Sequence, residues 1–327
     1  MHVAEMADYA RAFLSAKFLG ARVPLVVSMV VTNRCNFSCG YCDRWDGRGP
    51  ELSTGDITAM LDEMGAMGTR RIIFTGGEPL LRKDMPALVA RAKALGMKVN
   101  LNSNGTPVPR LMDQIRGIDT LTISLDGDEA THDRIRGKGA FAAGIAAVRA
   151  AKQHPHITVR FTAVISRDSI GSEASLLDVA RREGVRVFFQ PAEHRLLGSD
   201  MPNPLAPPIP RYRETIDYLL GEKARGAPIA NSVSALRYLR DWPTGAALPC
   251  AGARLFCRVD YDGRVMICGR MGEYEESYSA LTLGFRAAFL RLHEARCPTC
   301  WCGSRVEVNQ AFGLRADALL GLGKGGG

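Results

Sequence analysis

The hydrophobic pattern divides the chain into short apolar runs separated by longer stretches of helical periodicity. Pro24-Leu25-Val26-Val27-Ser28-Met29-Val30-Val31 is apolar at every position but Ser28 and predicts a strand buried on both faces. Further strands are predicted at 71–75, around Ile72-Ile73-Phe74, at Lys98-Val99-Asn100-Leu101, and at Leu121-Thr122-Ile123-Ser124-Leu125. Residues 157–166 and 185–190 add two more. Between them, Ile57, Met60, Leu61, Met64 and Met67 recur at helical spacing. That helix opens with a Ser53/Asp56 capping box and ends at Gly68. A helix from Asp84 through Leu95 stops at Gly96, Phe141, Ile145 and Val148 mark another, and 172–183 reads as the next. Six strand–helix alternations at these lengths predict an α/β fold, a partial parallel barrel with polar residues at the C-terminal ends of its strands.

Outside this core the pattern changes. Met6, Ala10, Phe13, Leu14 and Phe18 form an apolar stripe over 4–19, predicting an N-terminal helix laid across the barrel bottom. Five prolines within 202–210 mark a break, and amphipathic helices are predicted at 211–224 and 232–241. From 246 cysteines return among short strands and turns. The expected organisation is an N-terminal helix at 1–23, a barrel at 24–195, a linker with helices at 196–245, a cysteine-rich domain at 246–310 and a flexible tail at 311–327.

Composition narrows the function classes. The 327 residues suffice for a large core, and 42 Lys and Arg against 34 Asp and Glu leave a net charge of +8. No basic run is interleaved with aromatics, so nucleic acid is not the expected partner. The longest apolar stretch, 24–31, is too short to span a bilayer. Glu5 and Asp8 interrupt any signal-peptide pattern, which predicts a cytoplasmic protein. Nine cysteines in that compartment point to metal or redox chemistry rather than disulfides.

The cysteines fall in two sets. Cys35, Cys39 and Cys42 have C-x3-C-x2-C spacing directly after the first strand. Three thiolates on one loop suit three irons of a [4Fe-4S] cube and leave the fourth iron open, whereas structural zinc asks for four ligands. One βα unit later, Thr75-Gly76-Gly77-Glu78-Pro79 closes the second strand, with glycines that allow close backbone approach and a carboxylate at a strand end. The second set, Cys250, Cys257, Cys268, Cys297, Cys300 and Cys302, spans a predicted hairpin turn at Asp260–Gly263 and the knuckle Cys297-Pro298-Thr299-Cys300. On spacing alone zinc remains open there.

Together the cysteine loop and the Gly76–Pro79 stretch resemble the radical S-adenosylmethionine superfamily, over roughly residues 24–190. The resemblance implies a (β/α)6 TIM-like barrel. Cys35, Cys39 and Cys42 would hold a [4Fe-4S] cluster whose open iron chelates S-adenosylmethionine. Gly76, Gly77, Glu78 and Pro79 would contact its amine and Tyr41 its adenine. Asn102, Ser103, Ser124 and Asp126 sit at strand ends suited to ribose and carboxylate contacts. The run from Cys250 through Gly263 and Cys268 to the C-x2-C knuckle resembles the SPASM extension or its shortened twitch form. The stretches 124–127 and 132–137 fit the same subgroup. The full SPASM pattern needs more cysteines than follow Cys300, so one auxiliary [4Fe-4S] cluster on Cys250, Cys268, Cys297 and Cys300 is expected. Cys257 and Cys302 are left over, and Cys257, in a hairpin expected to lean toward the barrel mouth, is the candidate hydrogen donor.

The implied reaction is reductive cleavage of S-adenosylmethionine to a 5′-deoxyadenosyl radical that abstracts a C–H hydrogen. Net oxidation through the auxiliary cluster is the expected outcome; epimerisation with a cysteine donor, or thioether or C–C bond formation in a peptide, are the alternatives. Peptide-modifying relatives often carry a leader-binding segment before the cysteine loop, and only 34 residues precede Cys35 here. A small substrate such as a sugar, aminoglycoside or lipid precursor is therefore expected, with flavodoxin or ferredoxin as electron donor. The competing class is a metal-binding module without catalysis.

Overall fold

The computed structural model describes residues 3–42, 47, 49–194, 201–269, 276–294, 297 and 299–323. Six strands follow one another through helices: β1 (Val26–Val30), β2 (Arg71–Thr75), β3 (Lys98–Ser103), β4 (Thr120–Ser124), β5 (Thr158–Ile165) and β6 (Arg186–Pro191). All five neighbouring pairs are parallel. Helix α1 is Val3–Leu19 and α2 is Thr54–Ala66, the latter with the expected Ser53/Asp56 capping box. α3 (Met85–Ala94), α4 (Val108–Ile115), α5 (Glu129–Arg136), α6 (Ala140–Lys152) and α7 (Glu173–Glu183) complete the alternation. α4 and α5 were not anticipated: α4 starts on consecutive turn and proline residues, and α5 carries one buried side chain, His132, and therefore no apolar stripe.

The strands alternate more sharply than their apolar runs suggest. Val27, Met29, Ile72, Phe74, Val99, Leu101, Leu121, Ile123, Phe161, Val187 and Phe189 are fully buried against the helix layer. Their neighbours Ser28, Asn100, Asn102, Thr120, Thr122, Ser124, Arg160, Thr162 and Gln190 lie in register across the sheet on the other face. That face is the lumen, and it mixes these polar side chains with Val26, Val30, Ile73, Val164 and Phe188.

After α8 (Ile209–Ala224) and α9 (Val233–Leu239), the chain returns to the same sheet. β7 (Phe256–Val259) pairs in parallel with β1, Val26 opposite Phe256, and β8 (Arg264–Met266) and β9 (Tyr278–Ser279) continue antiparallel. Among the described residues the sheet order is β6-β5-β4-β3-β2-β1-β7-β8-β9. α10 (Ala280–Leu283) and α11 (Phe285–Arg291) follow, then α12 (Gly303–Phe312) and α13 (Ala316–Gly323). The expected flexible tail at 311–327 is thus corrected over its described part. α13 packs on α9 and α12, and Asp317 accepts the Ser234 backbone N–H at 2.8 Å. The small Gly-rich composition of this stretch masked its buried Ala318.

α12 spans the open side of the barrel. At its first residue, a Cβ on Gly303 would lie 2.6 Å from the Phe188 ring of β6, so only glycine fits. Two residues on, Arg305 lies over the Phe256 ring of β7. α1 packs against the far end of α12, Phe13 edge-on to Phe312 at 5.7 Å.

Candidate active site and second cysteine centre

The first cysteine loop leaves β1 and is fixed by the turn that ends β2. The Gly77 N–H donates to Thr32 O and the Glu78 N–H to Arg34 O, both at 2.8 Å. A Cβ on Gly76 would meet Thr32 O at 2.4 Å, which makes glycine obligatory. Glu78 does not present its carboxylate to the lumen. It is 0% exposed and accepts from the Leu80 N–H (3.1 Å), the Ser103 hydroxyl (3.0 Å) and the Asn104 N–H (2.7 Å). It therefore ties the β2 turn to the β3 loop, and burial raises its carboxyl to about 7 against the pull of these donors. The Asn104 amide in turn reaches Asn36 Oδ1 at 2.7 Å and Cys35 Sγ at 3.9 Å.

Tyr41 and Asp126, expected to face the cofactor, meet each other. The Tyr41 hydroxyl donates to Asp126 Oδ2 at 2.8 Å, and Arg136 Nε donates to the same oxygen at 2.6 Å. Arg136 also donates to the Tyr41 hydroxyl and lies over its ring. Asp126 accepts from the Val164 N–H, and its own N–H donates to His132 Nδ1, both at 3.0 Å. Burial opposes ionisation of Asp126, but the Arg136 guanidinium overcomes it and holds the carboxyl below its ordinary value. Burial pushes His132 down to about 4 and the Cys39 thiol up to about 11, the charge of Arg136 pulling the thiol back. Arg136 was not singled out from the sequence, although it stands inside the 132–137 stretch. Asn102 and Ser124 remain half-buried at the ends of β3 and β4. Ser103 is buried and committed to Glu78.

The second set converges as well. Cys250, Cys268, Cys297, Cys300 and Cys302 line one partly open cleft, together with Phe256, Arg305 and Asn309. Burial pushes the Cys300 thiol well up, followed by repulsion from Cys302, Cys268, Cys250 and Cys297. Among the described residues no three His, Cys, Asp or Glu side chains close on a single-ion position; the thiols ring a space instead. The Gly252 N–H points at Cys250 Sγ (3.3 Å) and the Asn309 amide at Cys300 Sγ (3.7 Å). A group that several thiolates share and that accepts hydrogen bonds at sulfur fits this arrangement, as it fits Cys35, Cys39 and Cys42.

Cys257 is the exception and corrects an expectation. It is 0% exposed in β7, opposite Val27, with its side chain on the helix-facing side of the sheet, while Phe256 lines the cleft. Burial pushes its thiol up to about 12. The hairpin turn reaches the mouth, but Cys257 lies three residues below it and on the face turned away from the five-thiol cleft.

A parallel barrel with a three-cysteine loop after its first strand and a Gly-Gly-Glu-Pro turn after its second defines an iron–sulfur, S-adenosylmethionine-binding class of protein. Residues 29–172 match the Radical SAM superfamily, so this part of the chain carries a domain of that kind. It is 32% identical over 190 residues to Fe-coproporphyrin III synthase of Methanosarcina barkeri, covering 54% of this chain and 46% of that one. Over 257 residues it is 28% identical to PqqA peptide cyclase of Gluconobacter oxydans, covering 75% and 70%. The chain thus spans about half the length of the first of these relatives. Its fold is that of SuiB from Streptococcus suis bound to S-adenosylmethionine, with a TM-score of 0.64 at 15% identity over 85% of this chain and 69% of that one.

Proposed function

We propose that the protein is a radical S-adenosylmethionine enzyme that oxidises a small organic substrate and carries one auxiliary [4Fe-4S] cluster. The observation that supports this most is the joining of two cysteine centres to one sheet: a three-thiol loop at the barrel mouth and a five-thiol cleft on its open side. When bound, the clusters and S-adenosylmethionine supply one-electron chemistry and a 5′-deoxyadenosyl radical able to take hydrogen from C–H. Cys35, Cys39 and Cys42 would hold the first cube. The backbone of Gly76 to Pro79 would receive the cofactor's amine, with Glu78 fixing that backbone rather than touching the ligand. Tyr41, oriented by Asp126 and Arg136, would wall the adenine side, and Asn102 and Ser124 would offer polar contacts. Cys250, Cys268, Cys297 and Cys300 would hold the auxiliary cube, with Cys302 a fifth thiol at the N-terminus of α12. α12 covers the open side and keeps water from the lumen. A ferredoxin or flavodoxin would deliver the electron.

Fe-coproporphyrin III synthase, similar in sequence over part of the chain, makes by its name a tetrapyrrole, and we take a substrate of that kind over a sugar, aminoglycoside or lipid precursor. The PqqA peptide cyclase match, which extends over 75% of the chain, favours a peptide as the second reading. Anaerobically reconstituted protein with dithionite should convert S-adenosylmethionine to 5′-deoxyadenosine. Stimulation by an iron tetrapyrrole precursor of Fe-coproporphyrin III, with product mass reduced, supports the first reading; stimulation by a peptide supports the second. A colourless, zinc-loaded protein that makes no 5′-deoxyadenosine overturns both.

A further inference from the structure

Arg305 is a buried cation without a buried anion. It is 7% exposed on the first turn of α12 and lines the five-thiol cleft. Its guanidinium stacks on the Phe256 ring, 4.2 Å from the centroid, and makes one long hydrogen bond, Nη2 to Cys257 O at 3.4 Å. No carboxylate pairs with it among the described residues. A guanidinium offers five N–H donors, and burying one without a counter-charge costs several kcal/mol. Such a cation is retained where an anion is to be accommodated. The cleft's own side chains show which kind: Cys250, Cys268, Cys297, Cys300 and Cys302 line it beside Arg305, and thiolates holding a cluster there would be the anion. Arg136, beside the other cysteine loop, is different, because Asp126 already neutralises it.

We propose that Arg305 is the fixed counter-cation of the auxiliary cluster and sets its reduction potential above that of the cluster on Cys35, Cys39 and Cys42. The inference rests on the reading that the cleft holds a [4Fe-4S] cube. A cube on four thiolates is a dianion when oxidised and a trianion after taking one electron. A cation held at the cleft wall stabilises the second more than the first, so the potential rises. Asn309 adds to this, since its Oδ1 is pinned by the Ala251 N–H at 2.9 Å and its amide points at Cys300 Sγ. Arg305 is thus a positioning residue in the electrostatic sense, acting through the cluster rather than on substrate.

The test uses full-length protein with Cys35, Cys39 and Cys42 all changed to Ala, so that any remaining cube is the auxiliary one. Iron is counted, and the midpoint potential is read by an anaerobic redox titration followed by electron paramagnetic resonance. In that background Arg305→Gln should shift the midpoint to a more negative value, and Arg305→Lys should leave it within error of the parent. If Arg305→Gln fails to retain iron while Arg305→Lys retains it, the same need for charge is shown. An unchanged midpoint in Arg305→Gln, an equal fall in Arg305→Lys, or loss of iron from both overturns the proposal. Absence of iron from the parent triple variant would instead remove the auxiliary cluster itself, a separate failure.

Discussion

The two cysteine centres hold their sulfurs in opposite electrostatic settings. At the first, every buried charge is answered: Arg136 by Asp126, Asp126 also by the Tyr41 hydroxyl and the Val164 N–H, Glu78 by two N–H groups and a hydroxyl. At the second, Arg305 has no carboxylate among the described residues and the thiols line a partly open cleft. A closed network fixes geometry whether or not the ligand is bound, which suits a loop that must meet a cofactor at defined angles. An unanswered charge does nothing for geometry, but it favours extra negative charge on whatever the cleft holds. The lesson is that equal numbers of buried arginines can serve shape in one place and potential in another.

The strongest break of this comparison is to remove one centre. Changing Cys35, Cys39 and Cys42 to Ala should lower bound iron from about eight to about four per chain and abolish 5′-deoxyadenosine formation. Retained cleavage would mean that the loop is not the cofactor centre. Next in size is the contrast between arginines in iron-free protein, measured by urea unfolding. Arg136→Gln strands the buried Asp126 carboxylate and should cost about 3–5 kcal/mol. Arg305→Gln strands no anion and should cost under about 2 kcal/mol, the scale of a lost cation–π contact. Equal costs would erase the distinction between the two settings.

Glu78 sharpens the first half. Its folded carboxyl lies at about 7 and its ordinary value is 4.5, so the folded state holds more protons between those values. Stability should therefore decline as pH rises from about 4.5 to 7, by up to about 3 kcal/mol. Glu78→Gln should flatten that window while keeping an acceptor oxygen; Glu78→Ala should strand donors at about 1–3 kcal/mol each. A pH slope unchanged in Glu78→Gln would place the titration elsewhere. The smallest effect belongs to Cys257→Ala: product, including its deuterium content from deuterated water, should match the wild type. A product altered in hydrogen content would return Cys257 to the reaction.

How much of this was legible in the sequence follows from what each signal encodes. The six strands stand within a residue or two of their apolar runs, because β-strands that face a helix layer must be apolar at alternate positions. The polar positions of the lumen were not legible in the run 24–31, where Val26 and Val30 blur the alternation around Ser28. The cysteine loop and the turn at Gly76–Pro79 were visible because their spacing is itself the chemistry. The Tyr41–Asp126–Arg136 network was not, since its members are 85 and 10 positions apart and meet only through β4 and α5. Cys257 was misread for a related reason: proximity along a hairpin says nothing about which face of a strand a side chain takes, and one residue decides it. Arg305 carried no signal, as an arginine five residues after a cysteine knuckle is ordinarily a solvated one.

The pairing of β1 with β7 has a consequence for biosynthesis. β1 can complete its second edge only when Phe256–Val259 has been made, although its partner residues begin at Val26. At translation rates of about 5–20 residues per second, that edge stays unpaired for roughly 10–50 s, through the making of every other barrel strand. An apolar strand with a free edge is a template for association between nascent chains. The cysteine loop hangs from that same strand, so the interval in which the chain is most prone to aggregate is also the interval in which its first three thiols stand uncovered by the helix that later closes the barrel.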